Sequence, residues 1–154
     1  MTEPVAALIR QQLVALEGYL QELSAFVSVD TTTYLTRPGF RRASERMIQI
    51  VVECAIDTAE AIAEAAGRPP PPTARAAFGE LHSLGVLEDE LASLFGRRYV
   101  GLRNRIVHDY EDLDAARVQE SGTRLAEDAE RFARTIGAWV DRQAVDDEST
   151  GPIP

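Results

Sequence analysis

The sequence contains no lysine; all 16 of its basic residues are arginine. It has one cysteine, Cys54, which excludes an internal disulfide framework and a cysteine-based zinc site. No apolar run approaches the roughly 18–20 residues that a membrane span requires. The Met-Thr-Glu-Pro start puts an acid where the basic region of a secretory signal would stand. Together these absences predict a soluble, cytoplasmic protein with no membrane association. Strand formers in alternation are also scarce, while Ala, Leu, Glu and Arg are abundant, so the expected fold class is all-α.

What is present is enough for one ordinary domain: 154 residues, 45% of them hydrophobic, can bury a core. The net charge of −9 argues against a generic nucleic-acid coat, which relies on many cationic phosphate contacts. The charge is unevenly spread, however. From Asp109 onward there are twelve Asp/Glu against five Arg, whereas Arg37, Arg41, Arg42 and Arg46 gather in one earlier segment and Arg97, Arg98, Arg103 and Arg105 in another. A locally basic groove on an acidic body is therefore compatible with the composition.

Taken in order, Thr2-Glu3-Pro4 starts a helix to about residue 27, with Val5, Leu8, Ile9, Leu13, Leu16, Leu20, Leu23 and Phe26 as its apolar stripe. Residues 28–33 read as a connection. Arg37-Pro38 opens a second helix of nearly thirty residues, ended by Gly67 and Pro69. The Pro69–Pro72 run reads as a stiff connector, and Thr73 caps a short helix ending at Gly85. His82 within it has no partner at ligand spacing and reads as structural or exposed. Glu88-Asp89-Glu90 begins a fourth helix that carries Gly96 and Gly101, each costing about 1 kcal/mol relative to alanine. Two such costs predict a bend or the close approach of another backbone. A fifth helix follows the Asp114 cap to about residue 142, and residues 143–154 are expected to form a disordered acidic tail. The sum is an up-and-down helical bundle of about five helices over residues 1–142.

The densest chemistry lies in Gly101–Tyr110, where Arg103, Asn104, Arg105, His108 and Tyr110 crowd together. On a helix Asn104 and His108 share a face, so the amide can set the tautomer of the ring. Arg103 is five positions before His108 and points about 140° away from it. Either the helix ends before His108, or a second copy of the motif comes in from another subunit of a two-fold dimer. The chemistry suited to these groups is RNA cleavage without a metal. An imidazole moves a proton at the 2′- or 5′-oxygen, and a guanidinium stabilises the charge growing on phosphorus. The competing reading is an arginine–acid surface network around a buried, satisfied histidine. No metal or other cofactor is implied.

The run Leu102-Arg103-Asn104-Arg105-Ile106-Val107-His108-Asp109-Tyr110 resembles the signature of the HepT-like toxins of the HEPN superfamily, Arg-Asn-x-x-x-His-x-Tyr. Ala43–Met47 and Glu53–Asp57 resemble that family's long second helix, and Phe78, Leu81 and Gly85-Val86-Leu87 its short helix and turn. The resemblance covers roughly residues 3 to 140. It implies an all-α HEPN-like homodimer with a composite site and metal-independent endoribonuclease activity in a HepT/MntA toxin–antitoxin system of type II or VII. Arg103 and His108 would be catalytic and Asn104 would support His108. Arg105, Arg98 and Arg46 are the candidate RNA-binding residues. The implied partners are an RNA substrate and an MntA-like nucleotidyltransferase antitoxin, for which Tyr110 would be the AMP acceptor. The alternative is a non-catalytic HEPN module that binds a nucleotidyltransferase and assists its substrate binding.

Overall fold

The computed structural model describes residues 1–108 and 112–151. Among the described residues seven α-helices follow one another: α1 (Glu3–Val27), α2 (Thr31–Thr36), α3 (Pro38–Ala65), α4 (Ala74–Ser83), α5 (Asp89–Ser93), α6 (Val100–His108) and α7 (Ala115–Ser149). A π-helical turn, Leu94–Tyr99, joins α5 to α6 without a break. The all-α bundle is as the sequence predicts, divided more finely than about five helices.

The divisions have local causes. Within the expected connection, the Asp30 carboxylate accepts from the Thr33 amide at 2.8 Å and from its hydroxyl at 2.7 Å, which nucleates α2. Tyr34 of α2 is fully buried and hydrogen-bonds Ser44 of α3 at 2.5 Å. At the stop signals, Gly67 (φ 73°) and Gly85 (φ 72°) take the left-handed conformation that favours glycine. Thr73 accepts from the Ala76 amide at 3.0 Å to cap α4.

The three long helices form the frame. Helix α1 packs on both α3 and α7. It is antiparallel to each: Arg10 pairs with Asp141 at 3.5 Å near one end, and Gln119 donates to the Val27 carbonyl at 3.2 Å at the other. The Cys54 thiol likewise meets the Gln12 carbonyl from α3. Gln119 is buried and also donates to the Val29 carbonyl at 2.8 Å, so one side chain satisfies two carbonyls at the exposed end of α1. Close approach is permitted by Gly122, where a Cβ would lie 2.9 Å from Val27 Cγ1 and 3.3 Å from Ile48 Cδ1.

Helices α4 to α6 wrap the far end of this frame around an aromatic cluster. Phe95 sits 5.5 Å from Phe78, 5.1 Å from Tyr99 and 5.0 Å from Phe132, centroid to centroid. This cluster ties α4, the π-turn and α7 together. The expectation of close backbone approach holds at Gly96: its Cβ would lie 3.4 Å from the Arg75 carbonyl oxygen and 3.7 Å from Phe78 Cβ. The regular ladder yields there, and the extra residue of the π-turn re-aims α6. Gly101 is different, because among the described residues a Cβ there would meet nothing within 4 Å.

The expected end of the last helix near residue 142 needs correcting. Helix α7 continues to Ser149, since no breaker occurs before Gly151-Pro152 and the Asp147 carboxylate lies 3.5 Å from the Met1 ammonium. Among the described residues no helix is long and apolar enough to cross a membrane.

Candidate functional site

Helix α6 carries the motif, and its two ends are held differently. Its start is anchored in the core: Val100, Leu102 and Ile106 are buried, and Tyr99 just before it donates a hydrogen bond to the Asp128 carboxylate of α7. Burial, then Asp128, pushes the Tyr99 phenol well above its ordinary range, so it stays a neutral donor. Its far end, His108, is the last helical residue described before 112.

The motif residues spread around this helix. Asn104 and His108 are both exposed and lie on one face. Among the described residues no hydrogen bond links them, and His108 is not the buried, satisfied histidine of the competing reading. Arg103 is half-buried on another side, with its Nε enclosed and without a hydrogen-bond partner among the described residues. Since α6 does not end before His108, Arg103 and His108 remain about 140° apart in one protomer. Val107, between them, is 41% exposed although apolar. Tyr110 lies outside the described residues, as do Asp109 and Glu111.

On the opposite flank from Arg103, α6 and the start of α7 enclose a groove of about 580 Å³. Arg98, Leu102 and Arg105 line one wall, Asp112–Asp114 the end, and Arg117, Val118, Glu120, Ser121 and Arg124 the other wall. Of the three candidate RNA-binding residues, Arg98 and Arg105 are thus brought together. Arg46, exposed on α3, does not line this groove. The sequence reading missed Arg117 and Arg124, although a signal was present. Arg98 and Arg105 are seven residues apart, two helical turns, and so are Arg117 and Arg124.

The groove's acids are largely committed. Asp114 caps α7, accepting from the Ala116 and Arg117 amides at 3.0 and 3.3 Å. Glu120 pairs with Arg124 at 2.8 Å. Among the described residues Arg98, Arg105 and Arg117 take no ion pair, and no three His, Cys, Asp or Glu side chains gather as a metal ligand set.

Elsewhere, His82 sits as a structural, partly exposed residue, its Nδ1 3.1 Å from the Leu87 carbonyl and its Nε2 4.0 Å from Asp89. The Cys54 thiol is pushed up to about 11, first by burial and then by Asp57, which makes it a poor nucleophile.

Comparison with known proteins places this geometry in context. A family model described as ribonuclease HepT-like matches residues 16–136. The chain is 31% identical over 140 residues to the tRNA nuclease HepT of Aphanizomenon flos-aquae (strain 2012/KM1/D3), covering 91% of this chain and 95% of that protein. Among solved structures, it is similar to a tri-AMPylated HEPN toxin of Shewanella oneidensis in complex with MNT antitoxin. The TM-score is 0.78 at 22% identity, over 90% of this chain and 99% of that one. It is also similar to a chain of the MntA-HpeT toxin–antitoxin, with a TM-score of 0.75 at 25% identity, over 84% and 97% of the two chains.

Proposed function

The chain belongs to the HepT-like ribonuclease family, and we propose that it is the toxin of a toxin–antitoxin pair, a metal-independent endoribonuclease acting as a homodimer. Its substrate class is RNA, with tRNA the first to test given the name of the cyanobacterial relative. Residues 1–142 form the working unit.

One observation carries this reading: α6 runs unbroken through His108, so a single copy presents the imidazole to solvent while the guanidinium of Arg103 faces elsewhere. A two-fold axis beside α6 would bring one protomer's Arg103 to the other's His108. The exposed apolar Val107 supports a contact there, because burying it against a second copy removes apolar surface from water. In the proposed reaction, one imidazole takes the proton of a 2′-hydroxyl and that oxygen bonds to the adjacent phosphorus. The bond from phosphorus to the 5′-oxygen breaks, and an imidazolium gives that oxygen its proton. The products are a 2′,3′-cyclic phosphate end and a 5′-hydroxyl end. Arg103 would stabilise the charge developing on the phosphoryl oxygens. Asn104, sharing the face of His108, would orient the ring, and Arg98, Arg105 and Arg46 would hold RNA.

Silencing would come from a nucleotidyltransferase antitoxin that moves AMP from ATP to the hydroxyl of Tyr110, with pyrophosphate leaving. The Shewanella oneidensis toxin, AMPylated and bound to MNT antitoxin, supports that partner class. An added phosphate two residues from His108 brings negative charge to where an RNA phosphate must sit.

The test is cleavage of tRNA in the presence of a chelator by the purified chain. Arg103→Ala and His108→Ala should each abolish it at unchanged helicity. A wild-type chain that leaves RNA intact would sink the ribonuclease reading in favour of a non-catalytic module that binds the transferase. For silencing, intact mass after incubation with the antitoxin and ATP should show AMP added, and Tyr110→Phe should prevent it.

A further inference from the structure

We propose that the groove between α6 and the first turns of α7 is a second phosphate subsite, in which Arg98, Arg105, Arg117 and Arg124 hold the RNA backbone away from the bond that is cut. The proposal rests on the ribonuclease reading, and adds to it a surface contributed by α7.

The argument starts from charge. The chain carries −9 overall, with its acidic excess after residue 109, yet this groove gathers four guanidiniums against three carboxylates. Asp114 accepts from the amides at the start of α7, and Glu120 and Arg124 pair with each other, which leaves Arg98, Arg105 and Arg117 without an ion pair among the described residues. Remaining amides of the first turn of α7 add partial positive charge at the same end. A polyanion approaching this acidic surface therefore meets a local attraction here.

Spacing comes next. Each pair of arginines is separated by seven residues, about 10 Å along its helix. A stacked strand advances about 3.4 Å per nucleotide, so each pair spans roughly three. Two such rows facing one groove suit an extended row of phosphates better than a single small anion. Arginine's planar fork is the donor that binds phosphate oxygens in pairs.

The geometry also separates this groove from the cleavage motif. Its wall uses the Arg98–Leu102–Arg105 side of α6, whereas Asn104 and His108 lie on the next face and Arg103 beyond it. RNA held in the groove would cross α6 to reach His108. The α7 wall is fixed relative to α6 by the Tyr99–Asp128 hydrogen bond, and both Arg98 and Arg124 act electrostatically on that phenol.

Fluorescence anisotropy of a labelled single-stranded oligoribonucleotide tests this over a salt series, using His108→Ala chain so that the probe stays intact. Adding Arg117→Ala or Arg98→Ala should weaken binding several-fold and reduce the slope of log affinity against log salt by about 0.7 per arginine. Arg134→Ala, which removes the same charge from an exposed position elsewhere on α7, should leave both unchanged. If the groove variants bind with the affinity and slope of their parent, the subsite is overturned, and cleavage by the wild-type chain would still uphold the ribonuclease reading. If nothing is cleaved but the groove variants alone lose RNA, the subsite stands and that reading falls. An equal loss for Arg134→Ala would show a diffuse charge effect and overturn the subsite.

Discussion

The Tyr99 hydroxyl donates a hydrogen bond to the Asp128 carboxylate, joining the π-turn that launches α6 to the middle of α7. Tyr99 is fully buried and Asp128 partly so, and hydrogen bonds to charged groups contribute about 1.5–3 kcal/mol. The contact decides how the motif helix sits against the arginines of α7.

Tyr99→Phe should therefore lower stability by about 1–3 kcal/mol in urea unfolding, with helicity retained. The pH dependence has a definite sign. Burial first, and Asp128 second, raise the phenol's pKa in the folded chain, so the unfolded chain loses its proton first. The contribution is fully present below pH about 10, the ordinary phenol value, and is lost as pH rises above it. Tyr99→Phe should lose less stability over that alkaline interval than wild type.

Gly122→Ala sets a helix-propensity gain of about 1 kcal/mol against overpacking that typically costs about 1–3 kcal/mol. The new methyl would lie 2.9 Å from Val27 Cγ1, on a stiff β-branched side chain that is itself buried. Packing should win, with a net loss of about 1 kcal/mol read as a lower thermal midpoint.

Gly101→Ala should behave oppositely. Among the described residues nothing beyond its own helix backbone lies within 4 Å of the added Cβ, so helix propensity acts unopposed and stability should rise by up to about 1 kcal/mol. Gly101 shares the face of Asn104 and His108, at spacings of three and seven residues. If a second copy or an RNA strand approaches α6 closely on this face, cleavage should fall while the thermal midpoint rises. Unchanged cleavage would show that the bare surface at Gly101 is not used.

Mixing inactive chains tests the shared site directly. In a dimer of an Arg103→Ala chain with a His108→Ala chain, a composite arrangement leaves one site with both native groups. Co-refolded equal mixtures should then recover about a quarter of wild-type cleavage, since half the dimers are mixed and each has one of two sites intact. Sites contained within single protomers would give no recovery.

Much of the bundle was legible because its signals are local. The apolar stripes of α1, α3 and α7 repeat over many turns, and glycine followed by proline ends α3 where the left-handed Gly67 is found. The candidate motif was legible for the same reason, being contiguous. The last helix was expected to end near residue 142 because composition was weighed above the absence of a helix breaker, and it runs to Ser149. Helix α2 went unseen because an Asp30 cap and a buried Tyr34 are decided by contacts rather than by periodicity.

The sequence by itself determined an all-helical chain, the boundaries of α1 and α3 and the start of α7, and the residues that share the Asn104–His108 face, because helical spacing and capping act over a few residues. Only the tertiary structure decided the π-turn at Gly96, which follows from the backbone of α4 lying against it. It alone also decided that α6 continues to His108 with Arg103 turned half inward, and that Arg117 and Arg124 join Arg98 and Arg105 across one groove. Those relations depend on how helices distant in sequence bury their apolar faces together, and no local pattern encodes that packing.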